Sequence, residues 1–139
     1  MSALFTPYQL GPVTLRNRTI RSAAFESMGR AFGPTEQLKE YHVAVARGGI
    51  GMTTLAYAAV SRSGLSFDKQ LWLRPAIVPG LRDITDAVHR DGAAAAIQIG
   101  HSGNMTHHST AGTLPPCAPA ALPPAPAPPA PRPPRRHHP

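Results

Sequence analysis

TEQLKEYHVAVARGGIGMTTLAYAAV, residues 35–60, reads as a helix, a stop and a buried strand. Thr35 stands where an N-cap is needed, and Leu38, Tyr41 and Val45 recur at helical spacing until Gly48 and Gly49 end the helix. The run IGMTTLAYAAV (50–60) is then apolar enough for a buried strand. On the N-terminal side, LFTPYQLGPVTLRN (4–17) has the form of a short hairpin turning at Gly11 and Pro12, and TIRSAAF (19–25) is a first parallel strand. On the C-terminal side an amphipathic helix runs from about Pro79 to Arg90, with Leu81, Ile84 and Val88 on one face and Gly92 as its stop. AAAAIQI (93–99) suits a helix as well as a strand; Gly92 before it and Gly100 after it decide for a third strand. Strands separated by helices imply a parallel sheet with right-handed crossovers. Both a barrel fragment and a doubly wound sheet satisfy this order, and no internal repeat separates them.

The chain has 139 residues, whereas a closed (β/α)8 barrel needs roughly 250. Its composition breaks near Thr113: 12 of the 17 prolines fall in the last 27 residues. Proline at that density lacks backbone donors and fixes φ, which excludes helix and sheet interiors. The expected division is therefore a folded part, residues 1–112, and a proline-rich tail, 113–139, that is disordered or reads out of frame. Pro, Ala, Arg and His have GC-rich codons, and an abrupt switch to them is what a frameshift in a GC-rich gene produces.

A formal net charge of +7 invites a nucleic-acid or membrane-surface reading. Arg132, Arg135 and Arg136 belong to the tail, which leaves residues 1–112 with 11 basic and 7 acidic side chains, an ordinary balance. Three arginines without interleaved aromatics make a weak nucleic-acid footprint, so no nucleic-acid partner is expected. No apolar run reaches the roughly 18 residues of a membrane span, and MSALFTPYQLGP has no basic-then-apolar leader. A single cysteine, Cys117, excludes an internal disulfide framework and fits a reducing compartment, so a cytoplasmic location is expected.

Specific residues narrow the fold. LFTPYQLGPVTLRNRTIRSAAFE (4–26), with Leu15–Arg16–Asn17–Arg18 leading into the first strand, resembles the N-terminal signature of the old yellow enzyme family, the NADH:flavin oxidoreductases and ene-reductases. Gly33–Pro34–Thr35, ARGGIGMTTLAYAAVSRSG (46–64), PGLRDITDAVHRDG (79–92) and IQIGHSGNM (97–105) resemble family segments in the family's order. The resemblance covers about residues 3–112 and implies an α/β fold: the N-terminal part of a (β/α)8 TIM barrel, a hairpin plus about three βα units.

It further implies an FMN-dependent oxidoreductase in which NAD(P)H reduces the flavin and the flavin passes hydride to a small-molecule acceptor, an activated alkene or similar. In such a barrel the cofactor lies over the C-terminal ends of the strands. Ala23 and Ala24 would close the first strand and let the isoalloxazine ring approach. Tyr57 would contact the flavin from the second strand. Gln98, at the end of the third, has an amide that both donates and accepts, matching the pyrimidine edge. Many family members tune the flavin with a Thr or Cys at the end of the first strand; here that position falls on Ala24 or Phe25. The family's His/His or His/Asn substrate pair, its tyrosine proton donor and its phosphate site would lie beyond residue 112, which predicts a truncated chain, inactive alone.

Other motifs yield less. The glycines of ARGGIG (46–51) precede a strand instead of opening a helix, the wrong context for a phosphate-binding loop. His101, His107 and His108 lack the Cys or carboxylate partners of a metal site. PPAPAPPAPRPP (123–134) offers the alternative reading, a non-catalytic interaction protein presenting a polyproline II ligand.

Overall fold

The computed structural model describes residues 2–106 and 108–112. The proline-rich segment from residue 113, with Cys117, and His107 lie outside the described residues. In chain order the elements are a hairpin, β1 (Tyr8–Leu10) and β2 (Val13–Leu15); β3 (Ile20–Arg21); α1 (Glu36–Arg47); β4 (Met52–Ala59); β5 (Leu71–Trp72); α2 (Val78–Arg90); β6 (Ala94–Gly100); and a single turn, α3 (His108–Ala111). Among the described residues one short 3-10 turn precedes β1 and three more lie between later elements.

The hairpin turns where glycine is needed: Gly11 has φ +54°, and Leu10 faces Val13 across it. In α1 the Thr35 hydroxyl accepts from the Leu38 amide at 3.2 Å and donates to the Met28 carbonyl at 2.6 Å, so the cap also anchors the preceding loop. The buried stripe of α1 is Leu38, His42 and Ala46, while Tyr41 and Val45, expected in the core, are half-buried. The stripe is rotated because His42, fully buried, finds a polar partner inside: its Nδ1 lies 2.8 Å from Thr53 Oγ1 on β4. Helix α2 buries Ile84, Ala87 and Val88.

β4 is the centre of a parallel sheet, paired with β3 at Met52 and Thr53 on one side and with β6 along most of its length on the other. Buried between sheet and helices are Leu38, Ala46, Leu55, Ala58, Leu71, Ile84, Val88 and Ala93, the single hydrophobic cluster among the described residues. Lys39 and Asp83 join the two helices at the surface at 2.9 Å; Glu36, then Asp83, hold the Lys39 ammonium pKa above its ordinary value.

Two expectations need correction. The first strand was expected over residues 19–25, but only Ile20 and Arg21 pair with β4, and residues 22–29 leave the sheet. Ala23 and Ala24 therefore lie beyond the strand instead of closing it. The cause is Glu26, whose Oε2 accepts the Ala56 amide at 3.0 Å and so takes a bond the strand would otherwise make. No pattern in the sequence marks β5. Two residues long, it pairs with Ala58 and Ala59 and is held by distant groups: Trp72 N donates to Phe32 O, and the Arg74 guanidinium stacks 4.9 Å over the Trp72 ring and donates to the carbonyls of Ala31 and Phe32. Ala31 and Phe32 have φ of +49° and +60°, a conformation side chains rarely adopt, and Arg74 satisfies the carbonyls they expose.

At the N-terminal end of the sheet, the Leu15–Arg18 motif closes the structure. The Asn17 amide donates to Gly49 O at 2.7 Å, and its Oδ1 accepts from both the amide and the hydroxyl of Thr19. Gly51 packs against this turn: a Cβ there would collide with the Asn17 carbonyl and come within 2.8 Å of its Oδ1 and 3.0 Å of Thr19 O. Gly51→Ala is expected to cost about 1–3 kcal/mol, the usual penalty for overpacking against atoms that cannot retreat. A urea midpoint unchanged from the parent chain would contradict this contact.

Candidate functional site

The C-terminal ends of β4 and β6 meet in an open cavity of about 250 Å³ lined by Tyr57, Gln98, Ile99, Gly100, His101 and Ser102. Tyr57 comes from β4 and Gln98 from β6. Parallel pairing of Leu55 with Ile97 and of Ala58 with Ile99 places the two in neighbouring positions although 41 residues separate them. The register shifts between these pairs, where the Ala56–Tyr57 peptide is cis. Gln98 is exposed and sits two residues before the end of β6, not at the end as expected. Its amide therefore faces solvent with donor and acceptor capacity available.

Ala23 and Ala24 do not line this cavity. Ala23 is half-buried and Ala24 exposed, in the segment that leaves β3. That segment instead brings in Phe25, whose ring centroid lies 5.5 Å from that of Tyr57 and 4.8 Å from that of Phe67. The three rings back the Tyr57 side of the cavity. The sequence marks Phe25 only as one of two residues, with Ala24, at the family's redox-tuning position, and it marks Phe67 by no motif. Neither belongs to a periodic pattern, so the sequence carries no signal for their contact.

Beneath the aromatic rings is a buried polar network. The Glu26 side chain is 3 % exposed and its Oε1 meets Arg21 Nη1 at 2.9 Å. Arg21 also donates to Thr54 O at 2.7 Å and to the Tyr41 hydroxyl at 3.1 Å, with its guanidinium 5.0 Å over the Tyr41 ring. The remaining nitrogen of His42, Nε2, faces Glu26 Oε1 at 3.5 Å. Glu26 thereby ties the irregular segment to the backbone of β4 one residue before Tyr57.

The donor set suits one edge of a flavin ring: a primary amide with both hydrogen-bond functions and a phenol, in an open cavity at the strand ends. The model of the NADH:flavin oxidoreductase / NADH oxidase family matches residues 3–126. The chain belongs to this family. The match passes Gly112 and runs some way into the proline-rich segment. Among curated relatives, a 4,4'-dithiodibutanoate disulfide reductase from Rhodococcus erythropolis is 48% identical over 101 residues, covering 73% of this chain and 25% of that protein. A probable N-methylproline demethylase from Rhizobium meliloti is 43% identical over 119 residues, covering 84% of this chain and 18% of the relative. The old yellow enzyme homologue from Zymomonas mobilis superimposes with a TM-score of 0.75 at 27% identity, over 82% of this chain and 32% of that one.

The family thus settles what element order left open: the parallel sheet is the N-terminal part of a TIM barrel, not a doubly wound sheet. The chain spans about a quarter or less of the length of these two curated relatives. Among the described residues no helix is long and apolar enough to cross a membrane.

Proposed function

We propose that the Tyr57–Gln98 cavity is the flavin end of an FMN-dependent, NAD(P)H-consuming oxidoreductase, with Gln98 bonding the pyrimidine edge of the ring and Tyr57 flanking it. The observation that carries this reading is the convergence of Tyr57 and Gln98 in one cavity at the C-terminal ends of adjacent strands. When bound, FMN supplies hydride acceptance from NAD(P)H and hydride delivery to an activated alkene or similar small molecule. The chain's own groups orient the ring: a donor at the edge where negative charge develops favours the reduced flavin. Ala23 and Ala24 do not line the cavity itself; on the loop that carries Phe25, their small side chains would let a ring approach that stretch of backbone.

The loops that hold the flavin phosphate and the substrate in the resembled family belong to later βα units. The isolated 139-residue chain is therefore expected to hold FMN weakly and to catalyse no NAD(P)H oxidation; stoichiometric flavin after purification, or turnover above background, would refute this. The flavin edge itself is testable with a ring that needs no phosphate site. Riboflavin titrated into the labelled chain is expected to shift the amide signals of Tyr57 and of residues 98–102. Gln98→Leu is expected to weaken that binding about tenfold, the worth of one or two hydrogen bonds. Shifts confined to other faces of the protein would reject the assignment.

A further inference from the structure

His101 is held on several sides. Its Nδ1 accepts the Gly103 amide at 2.9 Å, and its Nε2 lies 3.1 Å from the Ser63 hydroxyl. An amide nitrogen can only donate, so Nδ1 is the acceptor and the neutral ring carries its proton on Nε2, donating to Ser63. Ser63 is itself fixed, with its Oγ 2.8 Å from Ser61 Oγ and its carbonyl accepting from Thr106 Oγ1 at 2.9 Å. The Cγ–Cδ2 side of the ring rests on Gly64, where an added Cβ would lie 2.8 Å from Cδ2 and 3.0 Å from Cγ.

Both nitrogens are thus committed to the protein. This geometry excludes His101 as a free proton acceptor toward the cavity, yet the residue is exposed and lines that cavity beside Tyr57 and Gln98. With both nitrogens engaged, what remains of the ring for a ligand in the cavity is its π surface and the Cε1–H. A ring immobilised in this way loses almost no rotamer freedom when a second ring lies on it, which is what makes an aromatic side chain an efficient stacking surface.

We propose that His101 is a stacking platform for a flat heteroaromatic ring, a specificity-determining residue of the cavity. The proposal rests on the flavin reading above and deepens it. Flavin and nicotinamide are both flat heteroaromatics, and the two probes of the test separate them.

The test is a titration of the full 139-residue chain with riboflavin and, separately, with 1-methylnicotinamide, followed by amide and imidazole NMR signals. Four chains are compared: the parent, His101→Asn, His101→Phe and Gly64→Ala. Asparagine keeps an acceptor for the Gly103 amide but removes the ring. Phenylalanine keeps a flat ring without the hydrogen bonds. The Gly64 methyl displaces the imidazole without deleting it, and each variant's amide dispersion reports whether it is folded.

His101→Asn and Gly64→Ala are each expected to weaken the probe that stacks about tenfold, the usual worth of one aromatic–heteroaromatic stack, while His101→Phe restores binding. The probe that responds identifies the ring. Binding that falls with Gln98→Leu but is unchanged in His101→Asn and Gly64→Ala overturns the platform and leaves the flavin edge standing. Failure of both probes to bind the parent chain overturns both.

Discussion

Glu26→Leu is expected to destabilise the chain by about 3–5 kcal/mol, the usual result of removing one partner from a buried ion pair. Glu26 and Arg21 have side-chain exposures of 3 % and 15 %, so the guanidinium left behind would be a largely buried charge without its counter-ion. The Ala56 amide and His42 Nε2 would lose the same carboxylate. The cost therefore lies in what is orphaned and not in the strength of the pair itself. The double variant Arg21→Met, Glu26→Leu is expected to be more stable than Glu26→Leu alone, because it removes the stranded charge along with its partner. Urea unfolding followed by far-ultraviolet circular dichroism measures both. A Glu26→Leu midpoint within the range of ordinary surface substitutions would show that the network contributes no more than packing. A local signal should accompany the global one: Phe25 is held against Tyr57 by the neighbouring Glu26, so the near-ultraviolet spectrum of the aromatic group is expected to change in any Glu26 variant that still folds.

Arg16→Met is the second large effect, expected at about 3–5 kcal/mol from the loss of several charge-assisted hydrogen bonds. The guanidinium donates from Nε to Ile50 O and from Nη1 to Asp91 O, both at 2.9 Å, and from Nη2 to Ala46 O. Ala46 lies in the last turn of α1 and Asp91 caps the end of α2, so one cation satisfies carbonyls at the negative ends of both helices. Ile50 leads into β4. The side chain thus joins the hairpin to both helices and the central strand. Arg16→Lys is expected to recover only part of the loss, since an ammonium keeps the charge but not the planar fork that reaches separate carbonyls. Equal stability of the lysine and parent chains would show that charge alone, without directional bonding, accounts for the effect.

The Leu15–Arg18 motif that pointed to the family therefore acts far from the cavity. Arg16 and Asn17 close the N-terminal end of the sheet, while Tyr57, Gln98 and His101 stand at the other end. The motif marks the architecture; the proposed flavin cavity lies at the opposite pole, over the strand C-termini.

Helix α1, helix α2, the hairpin and strands β4 and β6 were legible because their determinants are local. Thr35 caps within its own turn, Gly11 supplies the turn's positive φ, and the long apolar run of β4 can be buried on both faces without help from any one partner. Gln98 and Tyr57 were legible only through resemblance; that they share a cavity follows from parallel register, which no local pattern records. The early end of β3, the two-residue β5 and the rotation of the α1 stripe were hidden for one reason. Each depends on a single polar group reaching a distant partner: Glu26 to Ala56, Arg74 to Ala31 and Phe32, His42 to Thr53. By itself the sequence determined the order and type of the long elements, because hydrophobic spacing and glycine placement act within a few residues. Tertiary structure alone decided where β3 stops, which face of α1 turns inward and which side chains meet at the cavity. The first two depend on satisfying polar groups across 30 and 11 positions of chain, the third on the parallel register of β4 and β6, and a buried donor or acceptor finds its partner only once the sheet and helices are packed.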